Sequence, residues 1–203
     1  MKTRFLIQWT LLGTAVITAA YLVSLIVVAL VHGAFGFNLQ EWGTPLSNIV
    51  MQVAGGAVIG AGTGLYQKSM LQKMFKVNLS WIYSLILGFA VTELLAGIIL
   101  WQMGLIRSEL RFIESNPLPE SMIFAFAGFL TGIFQWFLLR KLFTKSMLWI
   151  VASTLGWWVC IFSAYLLGLI DQGISVWGFI PGALLYGAIT GATFMWVLKP
   201  RIS

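Results

Sequence analysis

Glu93 places a carboxyl group in the middle of an apolar run, 12 positions after Trp81 and 8 before Trp101. A carboxylate deep in a lipid-embedded segment costs several kcal/mol when ionised. Such a group is protonated, paired or turned toward a water-filled cavity, and function is its default reading. Thr92 beside it and Gln52 in the preceding apolar run are the candidate hydrogen-bond partners. The competing reading is a protonated Glu satisfied by a nearby backbone carbonyl or hydroxyl. Gln67 and Gln135 form a second polar pair, at corresponding ends of two apolar runs. Amides there cap the last helical carbonyls or bond a neighbouring helix, worth about 0.6 kcal/mol on average in membranes, and structural use is the favoured reading.

Enzyme chemistry finds little to build on. His32 is the sole histidine, which excludes a two-histidine metalloprotease motif and bis-histidine haem ligation. Cys160 is the sole cysteine and lies inside an apolar run, so neither a disulfide nor a cysteine-rich metal cluster is available. Glu93 and one distant histidine do not make a catalytic pair, and the scattered Ser and Thr show no nucleophile motif. The expectation is no enzyme, no cofactor and no metal.

The elements that must carry these residues are membrane spans. Between Arg4 and Glu41, Glu41 and Lys68, and Lys145 and Asp171 the chain runs 25 or more residues without a charged side chain. About 20 apolar helical residues cross a hydrocarbon core of roughly 30 Å. Six spans are predicted, over residues 6–31, 49–66, 79–103, 121–139, 147–170 and 178–198. A composition of 60% hydrophobic and 9% charged residues agrees. The first run is too long for a typical signal-peptide core and is read as a retained span. The loop 104–120 carries mixed charge, with a short surface helix possible over 106–113 and with Asn116, Pro117 and Pro119 expected to stop a helix. Pro181, the one proline inside a predicted span, falls in its first turn, where it is tolerated.

The net charge of +6 does not point to nucleic acid, because the charges are sorted by side. Lys2, Arg4, Lys68, Lys73, Lys76, Arg140, Lys141, Lys145, Lys199 and Arg201 fall on one side, and all acidic residues except Glu93 on the other. Basic residues are retained on the cytoplasmic face, so both termini are expected there, with anionic lipid headgroups as their partners. Trp9, Trp81, Trp149 and Trp196 near the inner ends, and Trp42, Trp101 and Trp177 near the outer ones, read as an interfacial belt; Trp157 and Trp158 are mid-span exceptions.

Shifting the chain by 68 residues aligns 60–88 with 128–156 at 11 identical positions of 29, Gln67/Gln135, Lys73/Lys141 and Trp81/Trp149 among them. The last span keeps part of the pattern: Gly187 and Gly191 follow the spacing of Gly128 and Gly132, which sets Phe194 where Gln135 would be. Together these imply an all-α integral membrane protein, one domain over 1–203, built as three parallel helical hairpin repeats (roughly 5–67, 77–139 and 147–198). Gly56, Gly60 and Gly64, then Gly128 and Gly132, then Gly187 and Gly191 recur every four residues. They mark helix-packing faces, used within the chain in the first instance and for self-association in the second.

The run Gly128-x-x-x-Gly132-x-x-Gln135-Trp136-x-x-Leu139-Arg140, followed by Trp149 and Gly156-Trp157-Trp158, resembles a loose group of small bacterial multi-span membrane proteins. The resemblance is clearest over 128–158, with a fainter echo in 60–81, where Lys68 replaces Trp136. It implies a bacterial inner-membrane protein with repeated hairpins and no particular activity. The functional expectation is an accessory or interaction subunit, acting on other membrane subunits or itself through its glycine-lined faces and outer loops. The alternative is a small-solute transporter or substrate-binding membrane subunit that uses Glu93 in a mid-membrane cavity.

Overall fold

A computed structural model describes residues 2–34, 45–102, 117–166 and 176–197. They form six helices: α1 (Lys2–Ala34), α2 (Pro45–Leu71), α3 (Ser80–Gln102), α4 (Pro117–Leu139), α5 (Leu148–Leu166) and α6 (Val176–Ala192), the last running into a π-helical turn, Thr193–Val197. Among the described residues there is no strand. All six helices are long and apolar enough to cross a membrane. The chain is a multi-pass membrane protein by that measure, because only structures that satisfy their own backbone survive in lipid.

Each helix packs on its neighbours in sequence, and α1 also packs on α6, so the six close into a ring. The interior of the ring is filled by large side chains with almost no exposure, among them Trp9, Trp81, Trp149, Trp157, Tyr186 and Phe89. The outward face carries exposed Leu11, Ile26, Leu30, Leu87, Ile99 and Leu155. A soluble monomer rarely displays so much apolar surface; in a bilayer it is the solvated side.

Two element boundaries differ from the sequence expectation. Pro117 and Pro119 do not end a helix but open α4, where a proline's missing N–H would have no partner in any case. Pro181 sits beyond the first turn of α6, because that helix already begins at Val176. It therefore removes one intrahelical hydrogen bond inside a span. The neighbouring Gly182 abuts the backbone carbonyl of Cys160 on α5. The possible surface helix over 106–113 and the belt positions of the Trp42, Trp101 and Trp177 side chains lie outside what is described.

The turns at the basic end are short and tightly bonded. After α2 the chain closes with Phe75 N–H on the Leu71 carbonyl, and α3 starts with Ser80 N–H donating to the Asn78 side-chain oxygen at 3.2 Å, an N-cap arrangement. After α4, Arg140 and Phe143 N–H groups bond the Trp136 and Leu139 carbonyls before α5 begins.

Candidate functional site

The glycine pattern decides how the helices meet. A Cβ on Gly60 would lie 2.6 Å from the Leu85 carbonyl oxygen of α3, and one on Gly64 would lie 2.9 Å from the Ile82 Cα. Gly128 abuts the Ser153 carbonyl of α5, and Gly132 would meet the Ile150 Cα at 2.9 Å. Gly187 would meet the Thr10 Cα of α1 at 2.9 Å, and Gly191 the Trp9 ring at 2.8 Å. Each pair is antiparallel, and each glycine named from the sequence is used against another helix of the same chain. Close backbone approach of this kind supplies van der Waals contact where lipid provides no hydrophobic drive between helices.

Those approaches bring the polar residues to the middle of the basic half of the bundle. Trp81 Nε1 donates to Gln67 Oε1 at 3.0 Å, and Trp149 Nε1 donates to Gln135 Oε1 at 2.7 Å. Gln135 Nε2 donates to the same Gln67 oxygen at 3.1 Å, and Gln67 Nε2 donates to the Tyr186 hydroxyl at 2.9 Å. Nearby, Trp9 Nε1 donates to Thr190 Oγ1 at 3.1 Å. Every one of these side chains is buried. The layer ties α1 to α6, α2 to α3, α4 to α5, and α2 to both α4 and α6.

Thr190, and not Phe194, thus accepts the indole hydrogen bond in the third pair. The sequence spacing matches Gly187 and Gly191 to Gly128 and Gly132; the contacts shift the match by one turn, so that Gly187 plays the part of Gly64 and Gly132. Phe194 instead stands beside Phe75 and Phe143, with ring centroids 6.1 and 5.9 Å away, while Phe75 and Phe143 are 5.5 Å apart. These three rings close the basic end of the bundle directly below the amide layer.

The tryptophans correct the belt reading. Trp9, Trp81 and Trp149 point into the bundle, each with at most 1% exposure, because their N–H groups find amide or hydroxyl acceptors there. Trp196 remains half-exposed. Trp157 is fully buried, with its ring centroid 4.8 Å from Phe89 and 4.6 Å from Tyr186, and Trp158 stacks on Phe162 of its own helix at 4.9 Å. The hydroxyls of Thr18 and Thr63 are buried without a hydrogen-bond partner among the described residues.

Glu93 is half-buried on the α3 face that meets α2. A Cβ on Gly56 would lie 2.7 Å from its Cγ, so the glycine is what leaves room for the acid. Gln52 lies one turn away along the same seam, its Oε1 at 3.4 Å from a Cβ built on Gly97. Thr92 points the other way: buried, its hydroxyl donates to the Gly88 carbonyl of its own helix at 2.8 Å. Where α2 and α3 oppose Gly56 to Glu93, the corresponding place between α6 and α1 holds Phe179 stacked on Tyr21 at 4.8 Å. No group of three or more potential metal ligands exists among the described residues, where Cys160 is buried as a free thiol.

No protein-family model matches the chain, and neither a curated protein nor a solved structure matches it.

Proposed function

We propose that this chain is a non-enzymatic polytopic protein of a bacterial inner membrane that serves as an accessory or interaction subunit. Both termini lie in the cytoplasm, on the side of the ten sorted basic residues. Its body is three hairpin repeats, roughly 5–67, 77–139 and 147–198; what supports them is that equivalent glycine contacts and Trp-to-acceptor bonds recur at the seams α2–α3, α4–α5 and α6–α1. The observation that carries the functional reading is the interior: interlocked amides, indoles and phenylalanines occupy the axis of the basic half. A molecule filled in this way acts through its periphery. The glycine faces are engaged inside the chain, so partners meet its outward helix faces and loops.

Affinity capture of the full chain from native membranes, followed by mass spectrometry, tests this reading. Defined membrane subunits recovered in fixed proportion support it; recovery of the chain alone, after mild solubilisation that preserves known complexes, overturns it.

A second reading, a small-solute transporter, draws on Glu93. The acid replaces bulky apolar packing at one helix pair and sits beside Gln52 on a seam opened by Gly56 and Gly97. Membrane carboxylates so placed are commonly proton or substrate ligands. Glu93→Gln would then abolish proton-coupled uptake into vesicles at unchanged expression; an uptake equal to wild type removes this reading.

A further inference from the structure

The basic end of the bundle is indented on both sides of the turn that follows α4. One crevice, of about 350 Å³, lies between the α2–α3 turn and the end of α4. Lys76, Lys141 and Asn78 supply its polar lining, and Phe75, Leu138 and Leu142 are among its apolar residues. A second, of about 390 Å³, adjoins it: Lys141 lines both, and Arg140, Thr144 and Ser146 belong to the second. Arg140 is held in place by aromatic rings, its guanidinium carbon 5.4 Å from the Trp136 centroid and 4.9 Å from that of Phe137. The charge here is of one sign, because no Asp or Glu occurs in 66–81 or 136–149.

From this geometry we infer a binding site for the phosphodiester of an anionic phospholipid, centred on the crevice of Lys76, Lys141 and Asn78. Two ammonium groups and an amide N–H donor bond phosphate oxygens, and charge-assisted hydrogen bonds of this type are the strong ones. The apolar lining lies at the ends of membrane spans, at the depth where the glycerol and first acyl carbons of a lipid begin. This favours a lipid over free phosphate, for which the apolar surface would serve no purpose. The headgroup must be anionic, because a zwitterionic choline headgroup needs a carboxylate or an aromatic cage for its cation, and the crevice offers no carboxylate and only two aromatic residues, the buried Trp81 and Phe75, whose ring already packs against Phe143 and Phe194. The site depends on the membrane spans alone and stands or falls apart from the accessory role.

Native mass spectrometry of the full chain in mild detergent tests it, with phosphatidylglycerol, phosphatidylcholine or inorganic phosphate added. Phosphatidylglycerol adducts should exceed phosphatidylcholine adducts, and Lys76→Gln with Lys141→Gln should lower the former about tenfold, as two charge-assisted bonds become neutral ones. Lys73→Gln with Lys145→Gln removes the same charge from the same end, outside both crevices, and should leave the adducts unchanged. Thermal melting of both double variants alongside wild type separates lost binding from lost folding. If the inner pair fails to fold, Asn78→Ala and Lys141→Gln singly take its place, with a smaller drop expected. Equal losses in the two double variants, equal retention of the two lipids, or displacement of the lipid by millimolar inorganic phosphate would each overturn the site.

Discussion

Gln67 has more buried partners than any other side chain in the amide layer: its oxygen accepts from Trp81 and Gln135, and its nitrogen donates to Tyr186. Gln135 accepts from Trp149 and donates to Gln67. Removing an amide strands every group it satisfied, at about 1–3 kcal/mol for each that finds no water. Gln67→Ala should therefore destabilise the protein more than Gln135→Ala, by about 1 kcal/mol. Thermal melting in detergent checks the order, and a reversed order would show that the layer is hydrated or loosely held. In a double-mutant cycle the two should couple, since they share a hydrogen bond. Cys160 supplies a simpler check at this scale. Fully buried, it should resist a membrane-impermeant maleimide in the native protein and react after denaturation.

The helix pair is the scale at which glycine matters. A methyl at Gly60 would run into the Leu85 carbonyl of the facing backbone, whereas a methyl at Gly56 meets first the flexible Glu93 side chain. Backbone cannot step aside without parting the helices; a side chain can change rotamer. Gly60→Ala should cost about 1–3 kcal/mol and Gly56→Ala distinctly less. Comparative melting of the two variants decides this, and equal losses would mean that Glu93 is as rigidly held as backbone. The register of the third pair belongs here too. Sequence spacing matches Gly191 to Gly132 because Leu198 and Lys199 follow the one as Leu139 and Arg140 follow the other. In the folded chain the match rests on which backbone meets which, and Thr190 bonding Trp9 moves it back one turn.

For the molecule as a whole, the closed ring and the sorted charges make a statement about sidedness. The turns after α2 and after α4 lie at the same end of the bundle, next to each other through Phe75 and Phe143. Single cysteines at Lys73 and Lys145, in a chain with Cys160 replaced by Ala, should be labelled from one and the same side of sealed vesicles. Labelling from opposite sides would contradict the arrangement of the helices. The ring also explains why Trp9, Trp81 and Trp149 leave the interfacial belt. From sequence, a Trp near a span end is most simply placed in the headgroup region, since that is where an isolated helix would put it. Closure of six helices around an axis creates a competing, interior surface, and the amides of Gln67 and Gln135 make it the better acceptor.

Six apolar runs, their charge sorting and the repeat of Gln, Lys and Trp were legible in the chain itself, because span length, hydropathy and periodicity are local properties set by the bilayer and the helix rise. The glycine-marked packing faces were legible too, but which helix each face meets was not, because partners in lipid are selected by backbone approach and by hydrogen-bond pairing between residues far apart in sequence. Hence the tertiary structure alone brought Gln67 to Gln135 and Tyr186, turned Thr92 away from Glu93, seated Glu93 against Gly56, and gathered Lys76 and Lys141 at one crevice.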